Sequence, residues 1–280
     1  MTKTRPFLRW VGGKARLVSR LSPSVPALGD DFTYYEPFLG AGSMFFAVKP
    51  KRSVLGDENL DLVQCYARVK ARPDLVWRHL RALMPCQGRD EYYAFRTEFN
   101  RSSDSFRRAA LFIYLNKTCF NGIWRVSRAG DFNVPYGAKA KPGFPKRAEL
   151  FECSNALAPA RLNQGDFEST VAGARQGDLV YFDPPYLPMS ATAFFRHYTA
   201  HRFTTGDHER VALVAAQLAL DGVNVMVTEG DSELVRKWYR DFVIREVDVR
   251  RSVSCGSERH DARELIITSY ATEPSALPSI

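Results

Sequence analysis

Short apolar runs of strand length recur along the chain, and between them lie segments in which apolar residues return every three or four positions. The runs predicted to be strands are residues 33–36, 53–56, 161–165, 178–182, 223–228, 243–249 and 264–270. The segments with helical spacing are residues 43–48, 59–70, 74–84, 91–99, 106–115 and 209–220. Strands and helices alternate on both sides of an all-helical middle. The pattern therefore predicts an α/β sheet with a helical insertion.

The middle of the chain separates two parts of the predicted sheet. Residues 116–147 lose periodicity and collect glycine and proline, which predicts loops with a hairpin. We therefore assign residues 1–57 and 148–272 to one discontinuous sheet domain and residues 58–147 to the helical insert. Residues 273–280 are expected to form a flexible tail.

The composition is that of a globular protein, with 45% hydrophobic and 25% charged residues. These values exclude a disordered, collagen-like or coiled-coil chain. No apolar run approaches the ~18 residues of a membrane span, and no apolar run follows the amino terminus as it would in a secretion signal. The five cysteines are widely spaced without a C-x-x-C pair, which favours reduced thiols over a zinc site. We expect a cytoplasmic protein with no metal and no membrane contact.

Positive charge is concentrated in the insert. The chain has a net charge of +8, and eleven Lys or Arg residues face only five Asp or Glu residues between positions 96 and 152. Planar and amide side chains lie in the same stretch, at Phe120, Asn121, Trp124, Phe132, Asn133 and Tyr136. This mixture suits a nucleic-acid groove. Composition alone fits a solvated basic face equally well.

Two loops that follow predicted strands favour nucleoside binding. Gly40 and Gly42 follow the first strand and precede a helix, so the backbone can turn sharply and a ligand can approach it closely. A tight turn without a ligand is the alternative. Asp57 ends the next strand, where an acid can accept both hydroxyl groups of a ribose, although it could equally cap the following helix.

The strongest chemical signal is the run Asp183-Pro184-Pro185-Tyr186, which directly follows an apolar strand. Prolines are stiff and donate no backbone hydrogen bond, so carbonyl oxygens and the Asp183 carboxylate remain as acceptors. Tyr186 adds a flat wall. An acceptor-only cup of this kind fits an exocyclic amine on a planar base, and the alternative is a proline-rich turn that ends a strand.

The amino-terminal run FLRWVGGK, residues 7–14, combines aromatic, glycine and basic residues, and would either wrap a small ligand or begin a capped helix. This run, the loop EPFLGAGS at 36–43, the basic insert and the run DPPY at 183–186 occur in this order. In that order they resemble the DNA adenine methyltransferases of the Dam type. Further matching segments lie at residues 107–116, 121–122, 132–137, 187–192 and 249–254.

The resemblance implies a Rossmann-like, S-adenosylmethionine-dependent methyltransferase sheet with helices on both faces, and a target-recognition role for the insert. It implies S-adenosyl-L-methionine as cofactor and the 6-amino group of adenine in double-stranded DNA, within GATC, as target. The positions carried over as cofactor contacts are Trp10, Gly12, Gly13, Lys14, Glu36, Phe38, Gly40, Gly42, Asp57, Asp166, Phe167 and Asp183. The positions carried over as catalytic are Asp183, Pro184, Pro185 and Tyr186.

A third set of positions is carried over as DNA contacts: Arg9, Arg96, Phe120, Asn121, Ile123, Arg125, Asn133, Pro135 and Lys139. Phe120 stands where the family has an intercalating Tyr, and Arg9 stands where Lys usually contacts the first guanine. Both Arg and Lys donate to guanine, so this preference should survive. Ser127 and Ala138 replace phosphate-contacting residues, which predicts weaker backbone binding that Lys139 partly offsets.

The resemblance also implies a mechanism and a setting. The adenine is flipped out of the duplex and methylated directly, in line, with proximity and preorganised electrostatics in place of a covalent intermediate. The expected setting is the cytoplasm of a bacterium, with a bacterial or phage-encoded protein on the nucleoid and no obligate protein partner.

Rival interpretations rest on single features. Pro85-Cys86 matches the nucleophile pair of cytosine carbon-5 methyltransferases, but it lies in a helical region before the insert's loops. His197 and His201 are four residues apart, as on one helix face, but no third metal ligand is near in sequence. A cytosine 4-amino methyltransferase would share the chemistry, and a DNA-binding protein without catalysis would share the insert. The intact run 183–186 favours an active enzyme.

Overall fold

The computed structural model describes residues 4–29, 31–139, 141–187, 203–249 and 262–271. The strands are β1 Tyr34–Glu36, β2 Ser53–Asp57, β3 Ala160–Gln164, β4 Leu179–Phe182, β5 Asn224–Gly230, β6 Val243–Val249 and β7 Ala262–Thr268. The helices are α1 Val18–Leu21, α2 Ser43–Val48, α3 Leu60–Ala71, α4 Pro73–Leu83, α5 Arg89–Arg101, α6 Phe106–Thr118, α7 Arg147–Leu157, α8 Phe167–Val171, α9 Thr205–Leu220 and α10 Glu233–Trp238. Short 3₁₀ turns lie at Lys14–Arg16, Ser22–Ser24 and Phe120–Gly122.

The strands form one mixed sheet in the order β3-β2-β1-β4-β5-β7-β6. Strands β1 to β5 run parallel, whereas β7 is antiparallel to both β5 and β6. The chain leaves β1 towards β2 on one side and later enters β4 on the other side. In open α/β sheets, such a point of reversal opens a crevice at the carboxyl ends of the strands, where ligands bind. The loops after β1 and β4 therefore meet at this crevice.

Alternate residues of the central strands point to opposite faces of the sheet. Tyr34 and Leu179 pack into a core that also contains α2 and α3, whereas Tyr35 and Val180 pack into a second core with α8 and α9. The sheet is therefore covered on both faces. This arrangement confirms the predicted α/β fold with a Rossmann-like sheet.

The helical insert shares a core with the sheet. Leu55 of β2, Phe112 of α6 and Trp124 belong to one cluster of buried side chains. The ring centroid of Trp124 lies 4.0 Å from that of Phe112 and 4.3 Å from that of Phe132. The loops after α6 are thus fixed by aromatic packing beneath them. The exact domain boundaries stay a prediction.

Every predicted strand and helix is present, and the segment 116–147 is a loop region that folds back on itself through antiparallel bridges at Cys119–Tyr136 and Val126–Phe132. The pattern missed α1, α7, α8 and α10. Three of these have six residues or fewer, which is too short for a helical period to show. In α7, the buried positions Leu150, Cys153 and Leu157 recur at helical spacing, so this helix could have been predicted from the pattern. Within the described ranges, no helix is both long and apolar enough to cross a membrane.

Candidate active site

The glycine loop after β1 is shaped by close contact with the amino-terminal segment. Gly40 and Gly42 have φ angles of 47° and 66°, in the left-handed region that favours glycine. A β-carbon on Gly40 would lie 2.7 Å from Cδ1 of Trp10, so no larger residue fits. Trp10 therefore lies directly against the loop, and two positions predicted to contact the cofactor are adjacent.

Asp57 ties this loop to the end of β2. Its Oδ2 accepts a hydrogen bond from the Gly40 amide at 3.0 Å, and its Oδ1 accepts one from the Asn59 amide at 3.0 Å. Burial raises the pKa of Asp57 to about 6, although both amides oppose that rise. The side chain of Asn59, not that of Asp57, caps α3 through the Leu62 amide. The helix-cap alternative for Asp57 is therefore wrong.

Glu36 is buried beneath the same loop. Its Oε2 accepts hydrogen bonds from the Tyr34 hydroxyl at 2.7 Å and from the Phe45 amide in the first turn of α2 at 3.0 Å. Burial raises the pKa of Glu36 to about 8. These contacts anchor α2 to β1. A direct contact of Glu36 with a cofactor stays a prediction.

The loop after β4 places Asp183 in a network of charged and hydroxyl groups. Lys14 Nζ lies 2.7 Å from Asp183 Oδ1, donates a hydrogen bond to the Gly12 carbonyl at 3.0 Å, and lies 4.4 Å from the ring centroid of Tyr186. The Lys14 side chain is only 4% exposed. The acceptor cup and aromatic wall read from the sequence are thus adjacent in space, and they surround a cation.

The two prolines differ in their surroundings. Pro184 is buried and Pro185 is exposed.

Gly13 lies close to the backbone of Trp10, where a β-carbon would meet the Trp10 carbonyl oxygen at 2.9 Å. The tight packing of residues 10–14 is what brings Lys14 to the DPPY loop.

A second aromatic wall lies on the side of α8. The rings of Phe38 and Phe167 stack with centroids 5.6 Å apart and planes 27° apart. Asp166 caps α8 by accepting from the Glu168 amide at 2.9 Å, and Arg210 of α9 lies 3.2 Å from its Oδ2. Phe38 and Phe167, both predicted cofactor contacts from distant parts of the chain, are therefore neighbours.

The predicted DNA contacts gather at the end of α6. Phe120 is 51% exposed, an unusual state for a large aromatic side chain, and Asn121 beside it adopts a left-handed φ of 54°. The backbone of Arg9 is fixed by Asn116, which accepts from the Arg9 amide at 2.8 Å and donates to its carbonyl at 2.7 Å. Arg9 also packs on Gly122. The amino-terminal segment thus reaches both the β4 loop and the insert.

The remaining predicted DNA contacts are held by the backbone of the same loop. Arg125 donates to Asn133 Oδ1 at 2.7 Å, and Arg96 donates to the Val134 carbonyl at 3.3 Å. The Pro135 carbonyl accepts from the Phe120 amide at 2.9 Å. Ile123, also a predicted DNA contact, follows the 3₁₀ turn. Ser127 and Ala138, which replace phosphate-contacting residues of the family, lie in turns: Ser127 accepts from two amides of its turn, and Ala138 has a φ of 48°.

The sequence analysis missed residues whose role depends on contacts between distant segments. Lys117 is 7% exposed, and burial followed by the nearby Arg9 lowers its pKa to about 8. Its carbonyl accepts from Lys139 Nζ at 3.2 Å. Thr228, Glu264 and Arg210 contact Asp183, Tyr186 and Asp166 respectively. No local motif marks these four residues.

The rival features are not at this crevice or cannot be placed. Cys86 lies in the turn after α4, and its carbonyl accepts a hydrogen bond from Tyr114 of the insert. His197 and His201 lie outside the described residues, as do positions 188–192 and 250–254 of the matching segments. The part of the chain that the structure describes has no group of three or more His, Cys, Asp or Glu side chains that could hold a metal ion.

Comparison with known proteins gives one consistent result. The sequence profile of the D12 class N6 adenine-specific DNA methyltransferases matches residues 10–253. A DNA adenine methylase of Serratia marcescens is 40% identical over 257 residues, which cover 91% of this chain and 94% of that protein. The DNA adenine methylase of Escherichia coli is 39% identical over 269 residues, covering 95% of each chain.

A more distant relative is the type II methyltransferase M.MjaIII of Methanocaldococcus jannaschii, 34% identical over 288 residues that cover 96% of this chain and 100% of that protein. These matches confirm the predicted family and its adenine-specific chemistry on DNA, for which dependence on S-adenosylmethionine is general. With its glycine loop and DPPY loop meeting at one crevice, this chain belongs to the D12 class of N6 adenine-specific DNA methyltransferases.

Proposed function

We propose that this chain methylates the 6-amino group of adenine within GATC in double-stranded DNA, using S-adenosyl-L-methionine bound at the crevice between β1 and β4. Adenine methylation of DNA is the activity of its family. The duplex target, the GATC sequence and the residue roles below are the proposal. The observation that carries it is the DPPY cup, in which Asp183 and Tyr186 surround a positive charge next to the glycine loop.

The residues at the crevice fit the cofactor. When bound, S-adenosylmethionine supplies a methyl group on a positively charged sulfur. Asp183 and the Tyr186 ring already hold the ammonium of Lys14, so their electrostatic environment suits a cation. Gly40 has no room for a side chain because the Trp10 ring packs against it, so the glycine places that ring at the loop proposed to hold the cofactor.

The other predicted cofactor contacts take separate parts of the ligand in this proposal. Asp57 at the end of β2 accepts from ribose hydroxyls. Phe38 and Phe167 provide a flat apolar wall for the adenine ring, and Asp166 accepts from its amino group. The residues assigned to cofactor binding are Trp10, Gly12, Gly13, Lys14, Glu36, Phe38, Gly40, Gly42, Asp57, Asp166, Phe167 and Asp183.

Asp183 and Tyr186 hold the target base. The lone pair of an adenine amine is delocalised into the ring, which makes the nitrogen a poor nucleophile. An acceptor placed out of the ring plane favours the pyramidal form of the amine and frees that lone pair. Asp183 and the carbonyl of Pro184 act as these acceptors, Pro185 stiffens the loop, and Tyr186 stacks on the base.

The insert presents the DNA to this cup. Reaching the amine requires the adenine to leave the stack, which costs a few kcal/mol. Phe120 is exposed and fills the gap in the duplex, with Asn121 beside it. The side chains at Arg9, Ile123, Arg125 and Pro135 read base edges. Those at Arg96, Asn133 and Lys139 contact phosphates.

The proposal includes a setting. The chain, encoded by a bacterium or a phage, works in the cytoplasm of a bacterial cell and associates with the nucleoid, without an obligate protein partner. Its net charge of +8 supports attraction to a polyanion such as chromosomal DNA.

The test uses the purified chain, S-adenosylmethionine and two duplexes that differ only in one GATC changed to GTAC. Mass analysis of the product nucleosides should find N6-methyladenine in the GATC duplex and none in the other. Plasmid DNA treated in the same way should resist a nuclease that GATC methylation blocks. N4-methylcytosine as the product would contradict the assignment of adenine as the target base. Equal methylation of both duplexes would contradict the assignment of GATC as the target sequence. DNA binding with no methyl transfer would favour a catalytically inactive binder.

A further inference from the structure

Two side chains from the strands beside β4 contact the DPPY loop. Thr228 lies in β5, the parallel neighbour of β4, and Glu264 lies in β7, the antiparallel neighbour of β5. Glu264 pairs in register with Gly230, two residues beyond Thr228. The two side chains therefore belong to adjacent strands at the same end of the sheet, directly next to the proposed transfer site.

Thr228 fixes one oxygen of Asp183. Its hydroxyl is buried, donates to Asp183 Oδ1 at 2.8 Å, and lies 3.0 Å from the Tyr181 hydroxyl. A carboxylate oxygen only accepts and a hydroxyl has one proton, so the Thr228 proton goes to Asp183. The Tyr181 hydroxyl must then donate to Thr228. The hydrogen bonds run in one direction, from Tyr181 through Thr228 to Asp183.

The two oxygens of Asp183 are therefore not equivalent. Oδ1 accepts from Thr228 and also contacts Lys14 Nζ at 2.7 Å. No hydrogen bond from the residues that the structure describes reaches Oδ2 of Asp183. Rotation about the last bond of an aspartate side chain is broad and roughly two-fold, so packing alone does not fix it. The Thr228 hydroxyl and the Lys14 ammonium both hold Oδ1 and so fix this rotation, which turns the oxygen with no described donor, Oδ2, to the other side.

Glu264 fixes the ring of Tyr186. The Tyr186 hydroxyl donates to Glu264 Oε2 at 2.8 Å. Near the other end of the side chain, ring atoms Cδ2 and Cγ lie 3.7 and 3.9 Å from the position that a Gly230 β-carbon would take. The ring is thus held at its hydroxyl by β7 and passes close to β5 beside its attachment, while the Lys14 ammonium lies over it.

We propose that Thr228 and Glu264 are positioning residues for methyl transfer. Thr228 determines which oxygen of Asp183 receives the target amine, and Glu264 determines the plane of Tyr186 on which the base stacks. This inference rests on the proposed function. Neither residue touches the reacting atoms, and each acts through a neighbour. A misplacement of about 1 Å at a reacting group is enough to cost on the order of 100-fold in rate.

The first test compares Thr228→Val, Thr228→Ser and Thr268→Val. Thr268 is also a buried threonine in this sheet, and its hydroxyl donates to the Tyr270 carbonyl at 2.8 Å, so it is a matched control outside the site. At saturating DNA and S-adenosylmethionine, the single-turnover rate of Thr228→Val should fall about 10- to 100-fold. Thr228→Ser keeps the hydroxyl and should recover most of the rate. Thr268→Val should lose stability without losing rate.

The second test compares Glu264→Ala with Glu264→Gln and with Glu246→Ala. Glutamine keeps an acceptor for the Tyr186 hydroxyl, and Glu246 is an exposed glutamate of β6 that pairs with Arg236. The readout is fluorescence of 2-aminopurine at the target position, because stacking on a tyrosine quenches it. Glu264→Ala should give brighter emission and a slower rate, whereas Glu264→Gln and Glu246→Ala should resemble the unsubstituted protein.

The outcomes separate this inference from the proposed function. If the unsubstituted protein does not methylate adenine, the proposed function fails. If it does, and Thr228→Val or Glu264→Ala keeps the full rate, the positioning role of that residue is overturned. An equal loss of rate in Thr228→Val and Thr268→Val, or in Glu264→Ala and Glu246→Ala, would also overturn it, since the effect would then come from general destabilisation.

Discussion

The proposed transfer site and the loop proposed to bind DNA are built in opposite ways. At the proposed transfer site, Lys14, Thr228 and Glu264 come from distant parts of the chain and lie in partly or fully buried positions. Lys14 and Thr228 contact Asp183, and Glu264 contacts Tyr186. In the loop after α6, the predicted DNA contacts lie close in sequence and are held mainly by one another and by nearby carbonyls. Arg9 from the amino-terminal segment and Arg96 from α5 join them from elsewhere in the chain.

This difference indicates that the two regions serve different functions, one in the chemical step and the other in DNA binding. A buried network between elements fixes the direction of a few groups, as a chemical step requires. An exposed aromatic and several cations on a local loop provide contact area and charge, as DNA binding requires. Substitutions at the first region should therefore change the rate of the bound complex. Substitutions at the second should change affinity, base eversion or salt dependence.

The largest effect is expected for Asp183→Ala, which removes the proposed acceptor for the target amine. By analogy with the loss of a single stabilising group in other active sites, the single-turnover rate should fall by about 100-fold or more. The affinity for DNA should stay within a small factor, because the loop after α6 is untouched. Asp241→Ala, at an exposed aspartate, serves as the control. A comparable loss of DNA affinity would break the proposed division.

The sequence was informative where the chemistry is local. The runs at 36–43 and 183–186 could be interpreted as a close-approach loop and an acceptor cup, and the strand pattern implied that both lie at strand ends. The contacts of Thr228 and Glu264 could not be predicted from the sequence, because they depend on which strands are neighbours in the sheet. The reversed β7 between β5 and β6 is not visible in a hydrophobic pattern. In the insert, residue types indicated nucleic acid, and individual base contacts came only from the resemblance.

The second-largest effect concerns the free energy of unfolding, which should depend on pH through the two buried carboxyl groups beside the glycine loop. The pKa of Glu36 is raised to about 8 by burial, and that of Asp57 to about 6. A raised carboxyl pKa means that the folded state holds a proton that the unfolded state releases, so stability falls as pH rises towards the folded value. Between pH 6 and 8 this fall should approach about 1.4 kcal/mol per pH unit for one such group.

Glu36→Gln should flatten that slope. Chemical denaturation at several pH values from 6 to 8 measures it, with Glu246→Gln as the exposed control. The free energy of unfolding of the unsubstituted protein should decline with pH, and that of Glu36→Gln should decline less. Equal slopes for the two proteins would mean that Glu36 does not carry a proton in this range.

A third effect concerns the exposed wedge. Phe120→Ala should weaken target binding or eversion by about 1–3 kcal/mol, the range for loss of one stacking aromatic. The matched control is Leu213→Ala, since Leu213 is 66% exposed on α9. Titration of a duplex that contains one GATC measures the affinity of each variant, which includes the cost of eversion. An equal effect of Phe120→Ala and Leu213→Ala on target binding would show that Phe120 does not act as the intercalating wedge.

The smallest effect is expected for Lys139→Ala. If Lys139 contacts one phosphate, the slope of log affinity against log salt should drop by about 1, with little change in sequence preference. Titrations at several salt concentrations measure this slope, and Lys237→Ala, at an exposed lysine of α10, should leave it unchanged. A change in preference between GATC and GTAC duplexes would assign Lys139 to base reading instead.

The most direct measurement is a crystal structure of the chain with S-adenosylhomocysteine and a GATC duplex. The adenine should be everted, its 6-amino nitrogen should lie within hydrogen-bond distance of Asp183, and its ring should stack on Tyr186. The sulfur should lie beside the glycine loop at Gly40. An adenine still stacked in the duplex of a catalytically competent complex, or bound away from the loop after β4, would contradict it.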